Sequence, residues 1–335
     1  MATHNKHDLD RSTLKQFSNA AAGHDGVMSD PTGELLIKPC TDAEINFYEQ
    51  TRTEHPDFAE LMPTYMGTLN LGEPKAVPDA TAASETKKLT QEEKDQQLKH
   101  GAKLSTPLAI VLENLEHGFK HPNVLDLKLG ARLYADGTSA EKAERLDKVA
   151  SETTSGSLNF RIAGMKVWNG QDFDIYDKFY GRKFTADNVS DAFATFFAGL
   201  GTGLRRDEAQ ELLETIEAEI SKARHLLERA ESRMYSASVL IVYEGDTDAL
   251  GSLMQGNQPK TPRADERAPT LTEVKKSVEE EEEEEEMAAA PTVYRVKMID
   301  FAHAQWCPGQ GKDENVIKGL KNVEAQMDGL IARFD

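Results

Sequence analysis

Asp126 and Lys128 lie two residues apart in His121-Pro122-Asn123-Val124-Leu125-Asp126-Leu127-Lys128-Leu129-Gly130. Apolar residues at 125, 127 and 129 alternate with this carboxylate and this ammonium, a period-two pattern that predicts a strand with one buried face. Asp126 and Lys128 then share the opposite face, separated by about 6–7 Å along the strand. A carboxylate that orients a hydroxyl, beside an ammonium that neutralises a moving phosphoryl group, is a pair suited to phosphoryl transfer. The same spacing also fits an exposed edge strand carrying an ion pair.

Other segments hold groups of the same chemistry. Ala21 to Asp30, with Gly23 and Gly26, followed by Leu35-Leu36-Ile37-Lys38-Pro39, reads as strand, glycine turn, strand. Backbone N–H groups in such a turn can approach phosphates, and Lys38 can reach them; an ordinary hairpin has the same signature. Lys142, Arg145 and Lys148 recur every three residues in a short helix over 139–151, which places three cations on one face. A polyphosphate ligand would require such a stripe, and a solvated face balanced by Glu141, Glu144 and Asp147 would also contain it. Asp300 ends the strand Val293 to Asp300 and is a candidate metal carboxylate. Walker A and G-x-G-x-x-G patterns are both absent.

These groups need elements to position them. The sequence predicts a helix over 42–51, a strand over 63–69, and a buried strand from Leu108 running into a connector at Glu113 and Leu115. It predicts strands over 156–168 and 238–243, the latter paired antiparallel with 293–300. Helices are expected over 187–200, stopped by Gly199, Gly201 and Gly203, over 207–234, and over 314–334. Val189, Phe193 and Phe196 in the first, and Leu212, Leu213, Ile216 and Ile220 in the second, recur at helical spacing and are core. Residues 1–20 are polar and expected to fray. Residues 71–100 read as a flexible insertion, and 246–290 as a disordered loop ending in the eight-glutamate run Glu279 to Glu286.

The chain has 335 residues, 39% of them hydrophobic, enough for one large or two ordinary domains. Its formal charge of −19 argues against nonspecific nucleic acid binding, so a polyanionic ligand needs a local basic pocket. Two cysteines, Cys40 and Cys307, make no disulfide framework and point to a reducing compartment. No stretch reads as a signal core or a transmembrane segment, so a soluble intracellular protein is expected.

Pro122-x-x-x-Asp126-x-Lys128-x-Gly130 resembles the signature of the inositol polyphosphate kinases. The resemblance extends through Ala22-Gly23-His24-Asp25-Gly26, Leu36-Ile37-Lys38-Pro39, the block from Glu141 to Met165, Tyr180-Gly181-Arg182, Val242-Tyr243-Glu244-Gly245, Ile299-Asp300-Phe301-Ala302-His303 and Gly311-x-Asp313-Glu314-Asn315-Val316. It covers about 20–334 and is strongest to the fungal multikinase branch, which is also known for regulating arginine-metabolism genes. The family's Ser-Ser-Leu-Leu stands here as Ala237-Ser238-Val239-Leu240, with one serine lost.

The resemblance implies an α+β, two-lobed inositol-polyphosphate-kinase fold distantly similar to protein kinases. An N-lobe over 21–117 would precede a C-lobe over 118–335 that carries an inositol-binding helix at 139–154. It implies that Lys38 contacts ATP phosphates and that the backbone of Glu113 and Leu115 holds adenine. Asp126 would orient the attacking hydroxyl and Lys128 would bridge it to the γ-phosphoryl group. Asp300, with Ser238, would bind Mg2+. Lys142, Arg145, Lys148 and His303 would receive substrate phosphates. The implied activity is ATP-dependent phosphorylation of inositol trisphosphate and tetrakisphosphate. A hexakisphosphate kinase, a trisphosphate 3-kinase and a mainly non-catalytic transcription cofactor are the alternatives. The fungal relatives imply transcription-factor partners for the acidic loop and a location in nucleus and cytoplasm.

Overall fold

A computed structural model describes residues 13–17, 26–71, 106–256 and 292–334. The glycine turn at 23–25, most of the 71–100 insertion and the glutamate run lie outside the described residues.

The first sheet has the order β1-β2-β3-β5-β4 and is antiparallel throughout. Its strands are β1 (Lys15–Gln16), β2 (Met28–Ser29), β3 (Leu35–Pro39), β4 (Tyr65–Asn70) and β5 (Leu108–Glu113). Lys15 and Gln16 are therefore paired strand residues rather than part of a frayed end. Between β3 and β4 come α1 (Asp42–Glu54) and α2 (Pro56–Ala59). The Thr41 side chain accepts from the Glu44 N–H at the start of α1, and Pro56, which has no N–H to continue the ladder, follows its end.

The second sheet has the order β11-β10-β6-β7-β8, also antiparallel. It begins with β6 (Pro122–Leu129), followed by α3 (Ala140–Ser151), α4 (Thr154–Leu158), β7 (Phe160–Trp168), β8 (Phe173–Tyr176) and α5 (Lys178–Gly181). Next come α6 (Ser190–Phe196), α7 (Leu200–Gly203), α8 (Arg206–Arg229), β9 (Ser232–Met234), β10 (Ser238–Glu244) and α9 (Thr247–Gly256). The chain closes with β11 (Tyr294–Ile299), β12 (Ala304–Trp306) and α10 (Glu314–Ile331). Strand β6 is central, which rules out the edge-strand reading, and Asp126 is buried at 2% exposure.

Several boundaries differ from the expected ones. Gly156 to Leu158 belong to α4 rather than to the following strand. The aromatic helix breaks after Phe196, and Gly201 and Gly203 lie inside a further helical turn instead of ending one. The long helix ends at Arg229, because Ser232 to Met234 pair with β12. The segment expected to be disordered from 246 begins with α9, whose Leu250 is fully buried. Helices α8 and α10 pack through Leu212, Leu213, Ile216 and Ile220 against Val316, Leu320 and Val323 in one continuous core beneath the second sheet. Among the described residues no helix is long and apolar enough to cross a membrane.

Candidate active site

An open cleft lies between the two sheets and is lined by residues of both. Its apolar walls include Val27, Leu36, Leu112, Val124, Leu240 and Ile299. Its polar groups are Lys38, Glu113, Asn114, Glu116, Asp126 and Asp300. The connector residues Glu113 and Leu115, the β3 lysine and the β6 carboxylate therefore meet in one cleft, although they lie far apart in sequence.

Lys38 and Lys128 converge on Asp300. Lys38 Nζ donates to Asp300 Oδ1 at 2.9 Å, and Lys128 Nζ to Asp300 Oδ2 at 3.3 Å. Lys38 Nζ also donates to Glu44 Oε1 at 2.9 Å. Burial works against the Lys38 charge, but Asp300 and then Glu44 outweigh it and hold its pKa above the ordinary lysine value. Lys128 Nζ is further anchored on the Ser236 carbonyl at 2.9 Å. Asp300 has φ +67°, a left-handed conformation that costs a non-glycine residue of order 1–3 kcal/mol and persists only where its surroundings fix it. Phe301, fully buried and stacked on Phe47 at 4.8 Å, supplies that fixation from the next position.

Ser238 is the register partner of both Lys128 and Ile299, so it adjoins Asp300 across the sheet. Its buried Oγ has no hydrogen-bond partner among the described residues. A carboxylate with a neighbouring hydroxyl is a hard-oxygen donor set that fits Mg2+ or Mn2+. Among the described residues no group of three histidine, cysteine or acidic side chains forms a self-sufficient metal cage.

Beyond Lys128 the surface is cationic. Arg161 on β7 is the register partner of Lys128, so the two side chains share a face. Gly181 packs directly against the Ile162 carbonyl, with no room for a Cβ, which docks α5 beside Arg161. Burial, and then Arg182, push the Arg161 pKa down to about 10, while Asp126 partly offsets them. Burial lowers the Lys178 pKa, with Arg182, Arg145 and Arg161 adding to it. His303 is lowered by burial and then by Lys142 and Lys128, against Glu44. Among the described residues Lys142, Arg145, Arg161, Lys178 and Arg182 make no ion pair. Cations that outnumber the carboxylates near them, Asp126 and Asp177, are suited to a polyanion. Lys148 differs, since Glu152 engages it at 3.8 Å.

The α3 stripe thus divides: Lys142 and Arg145 sit within electrostatic reach of the site, and Lys148 has a partner of its own. Two functional groups were not singled out from sequence. Glu44 shows no signal apart from its place in the first turn of α1. Arg161 was visible as a cation in an alternating strand, but its pairing with Lys128 depends on a register shift between Asp126 and Leu127 that no local pattern shows.

Residues 109–327 match the inositol polyphosphate kinase family. The inositol polyphosphate multikinase of Saccharomyces cerevisiae is 32% identical over 343 aligned residues, covering 92% of this chain and 96% of that protein. Inositol hexakisphosphate kinase 1 of Rattus norvegicus is 32% identical over 235 residues, covering 66% of this chain and 51% of that protein. The crystal structure of the inositol phosphate multikinase from Saccharomyces cerevisiae in complex with ADP and Mn2+ superposes with a TM-score of 0.63 at 28% identity, covering 89% of this chain and 100% of that one.

Proposed function

Because this chain belongs to the inositol polyphosphate kinase family, we propose that it transfers the γ-phosphoryl group of ATP to hydroxyls of inositol trisphosphate and tetrakisphosphate. The observation that carries this reading is the meeting of Lys38 and Lys128 on Asp300, with the cation-rich cluster around Arg161 alongside. One side of the meeting point opens on the cleft and the other on the cations.

The chemistry follows from the charges. ATP places its base in the apolar cleft and its phosphates at Lys38 and Lys128, which exchange Asp300 for phosphate oxygens. Lys142, Arg145, Arg161 and His303 hold the phosphates of the inositol. Asp126, buried where the cleft meets Arg161, orients the attacking hydroxyl and accepts its proton. Phosphoryl transfer spreads negative charge over the moving group, so positioning and fixed positive charge account for most of the rate. Asp300 and Ser238 would hold Mg2+, which would supply neutralisation of nucleotide phosphate charge.

The test is chromatographic identification of products from inositol 1,4,5-trisphosphate and ATP. Tetrakis- and pentakisphosphate are expected, and both are lost in Asp126→Asn and Lys128→Met variants that keep the parent Tm. Turnover of inositol hexakisphosphate alone would overturn the multikinase reading in favour of the hexakisphosphate kinases, which are equally similar in sequence over a shorter stretch.

A further inference from the structure

The connector that follows β5 has almost every backbone group committed. Glu113 N–H donates to the Thr64 carbonyl at 3.0 Å, Asn114 N–H to the Glu34 carbonyl at 2.7 Å, and His117 N–H to the Asn114 carbonyl at 3.0 Å. Glu116 N–H donates to Asn114 Oδ1 at 3.1 Å, and the Asn114 amide nitrogen to the Gly33 carbonyl at 2.7 Å. Leu115, which lines the cleft, is the exception on its donor side: its N–H has no acceptor among the described residues. Its carbonyl, by contrast, is taken. Nη1 of Arg295, reaching over from β11, donates to the Leu115 carbonyl at 2.8 Å and to the His117 carbonyl at 2.7 Å. The guanidinium is half-buried and lies 5.3 Å from the Phe119 ring centroid, which fixes it from the other side.

We infer that Arg295 sets the purine preference of the cleft, by occupying the Leu115 carbonyl and leaving the Leu115 N–H as the connector's recognition group. The inference rests on the nucleotide assignment proposed above. The hydrogen-bonding edges of the two purines differ in sign. Adenine presents an acceptor at N1 beside a donor at N6, so a lone N–H at Leu115 suits N1. Guanine presents an acceptor at O6 beside a donor at N1. If O6 sits on the Leu115 N–H, the acceptor that the same residue offers to the guanine N1–H is its own carbonyl. With that oxygen already accepting from a charged guanidinium, the guanine donor meets a weakened acceptor beside a positive charge. A poorly paired buried donor is what makes a site reject a close analogue. Neither Arg295 nor the connector touches the inositol side of the site, so the effect belongs to nucleotide choice alone.

The experiment compares ATP and GTP as donors to inositol 1,4,5-trisphosphate for the full chain and for Arg295→Met, which keeps the stem and removes the donors. The GTP-to-ATP ratio of kcat/KM is expected to rise about tenfold, with KM for the inositol phosphate unchanged. A ratio that stays within twofold, both nucleotides weakening together, would make Arg295 a brace for the connector and overturn the inference. Thermal shifts with ADP and GDP, on the wild type and on Arg295→Gln, need no turnover. The wild type should be stabilised by ADP far more than by GDP, and Arg295→Gln should narrow that gap. Equal shifts in the wild type would overturn the inference. If the wild type transfers phosphate from neither nucleotide, the kinase reading fails while the ADP and GDP shifts still judge Arg295.

Discussion

Lys38 of the first sheet and Lys128 of the second donate to opposite oxygens of one carboxylate, Asp300, at 2.9 and 3.3 Å. Two like charges are thereby held close by a single anion across the junction of the sheets. Asp300→Asn keeps the shape but removes the charge, leaving the ammonium groups to repel each other while Glu44 still pairs with Lys38. Kinase turnover is expected to fall by about a thousandfold or more, and stability by about 1–3 kcal/mol. Steady-state kinetics and a thermal melt check both. Near-normal turnover would remove Asp300 from the site.

His303 reports on the cationic surface. Burial, then Lys142 and Lys128, keep its imidazole below the ordinary histidine pKa, so it is neutral at pH 7. Removing a neighbouring cation favours the imidazolium, so Lys142→Gln should move the His303 titration upward. Bound inositol phosphate should move it the same way, by adding negative charge. An NMR titration, with the signal assigned through His303→Gln, reads both. Lys148→Gln should leave the pKa and the inositol phosphate KM in place, because Lys148 already pairs with Glu152, whereas Lys142→Gln should raise that KM severalfold. An unmoved His303 in Lys142→Gln would place the α3 stripe outside the site.

Much of this site was legible in the sequence, for identifiable reasons. Alternation put Asp126 and Lys128 on one face, and the resemblance joined them to Lys38, Glu113, Leu115 and Asp300, which share the cleft. Local patterns carry such information because one strand's periodicity is intrinsic to its own residues. What they did not carry is register between strands. Arg161 meets Lys128 through a shifted β6–β7 pairing, and Ser232 to Met234 leave the helical pattern because β12 offers them partners. The glycines at 199, 201 and 203 read as stops, yet α7 forms through them: Gly203 faces Thr247 too closely for any Cβ, a contact set by tertiary packing. Composition misjudged 247–256 for the opposite reason, since one fully buried leucine, Leu250, is enough to seat a short helix.

That helix alters how the acidic segment is best removed. Deleting 246–290 takes away Leu250 and the Asp246 carboxylate, whose Oδ1 caps the turn by accepting from the Ala249 N–H at 3.0 Å. It should cost about 2–5 kcal/mol. Deleting 258–290 leaves every described contact in place and should preserve both Tm and inositol phosphate turnover. A collapse of activity in the shorter deletion would assign the glutamate run a part in the enzyme itself.

Gly130 tests how the strand end holds Lys128 in position. Its φ is +91°, and a Cβ there would overlap the Asn315 side chain. That amide closes the loop after β6: its Oδ1 accepts from the Ala131 and Arg132 N–H groups at 2.8 and 3.0 Å, and its Nδ2 donates to the Arg132 carbonyl at 3.0 Å. Gly130→Ala therefore adds backbone strain of about 1–2 kcal/mol to the loss of this clamp, roughly 1 kcal/mol per hydrogen bond. Gly137, at φ +81° with nothing within 4 Å, isolates the strain alone, so Gly137→Ala should cost about 1 kcal/mol and leave turnover unchanged. The two contributions at Gly130 separate in a double-mutant cycle with Asn315→Ala. In that background no amide remains to be displaced, and Gly130→Ala should cost what Gly137→Ala does plus only the tight approach of its Cβ to the Arg132 carbonyl, at 3.2 Å. Chemical denaturation of the four proteins measures the coupling. Additive costs would mean that Gly130 is needed for its backbone conformation only, and that Asn315 closes the loop without depending on the space Gly130 leaves.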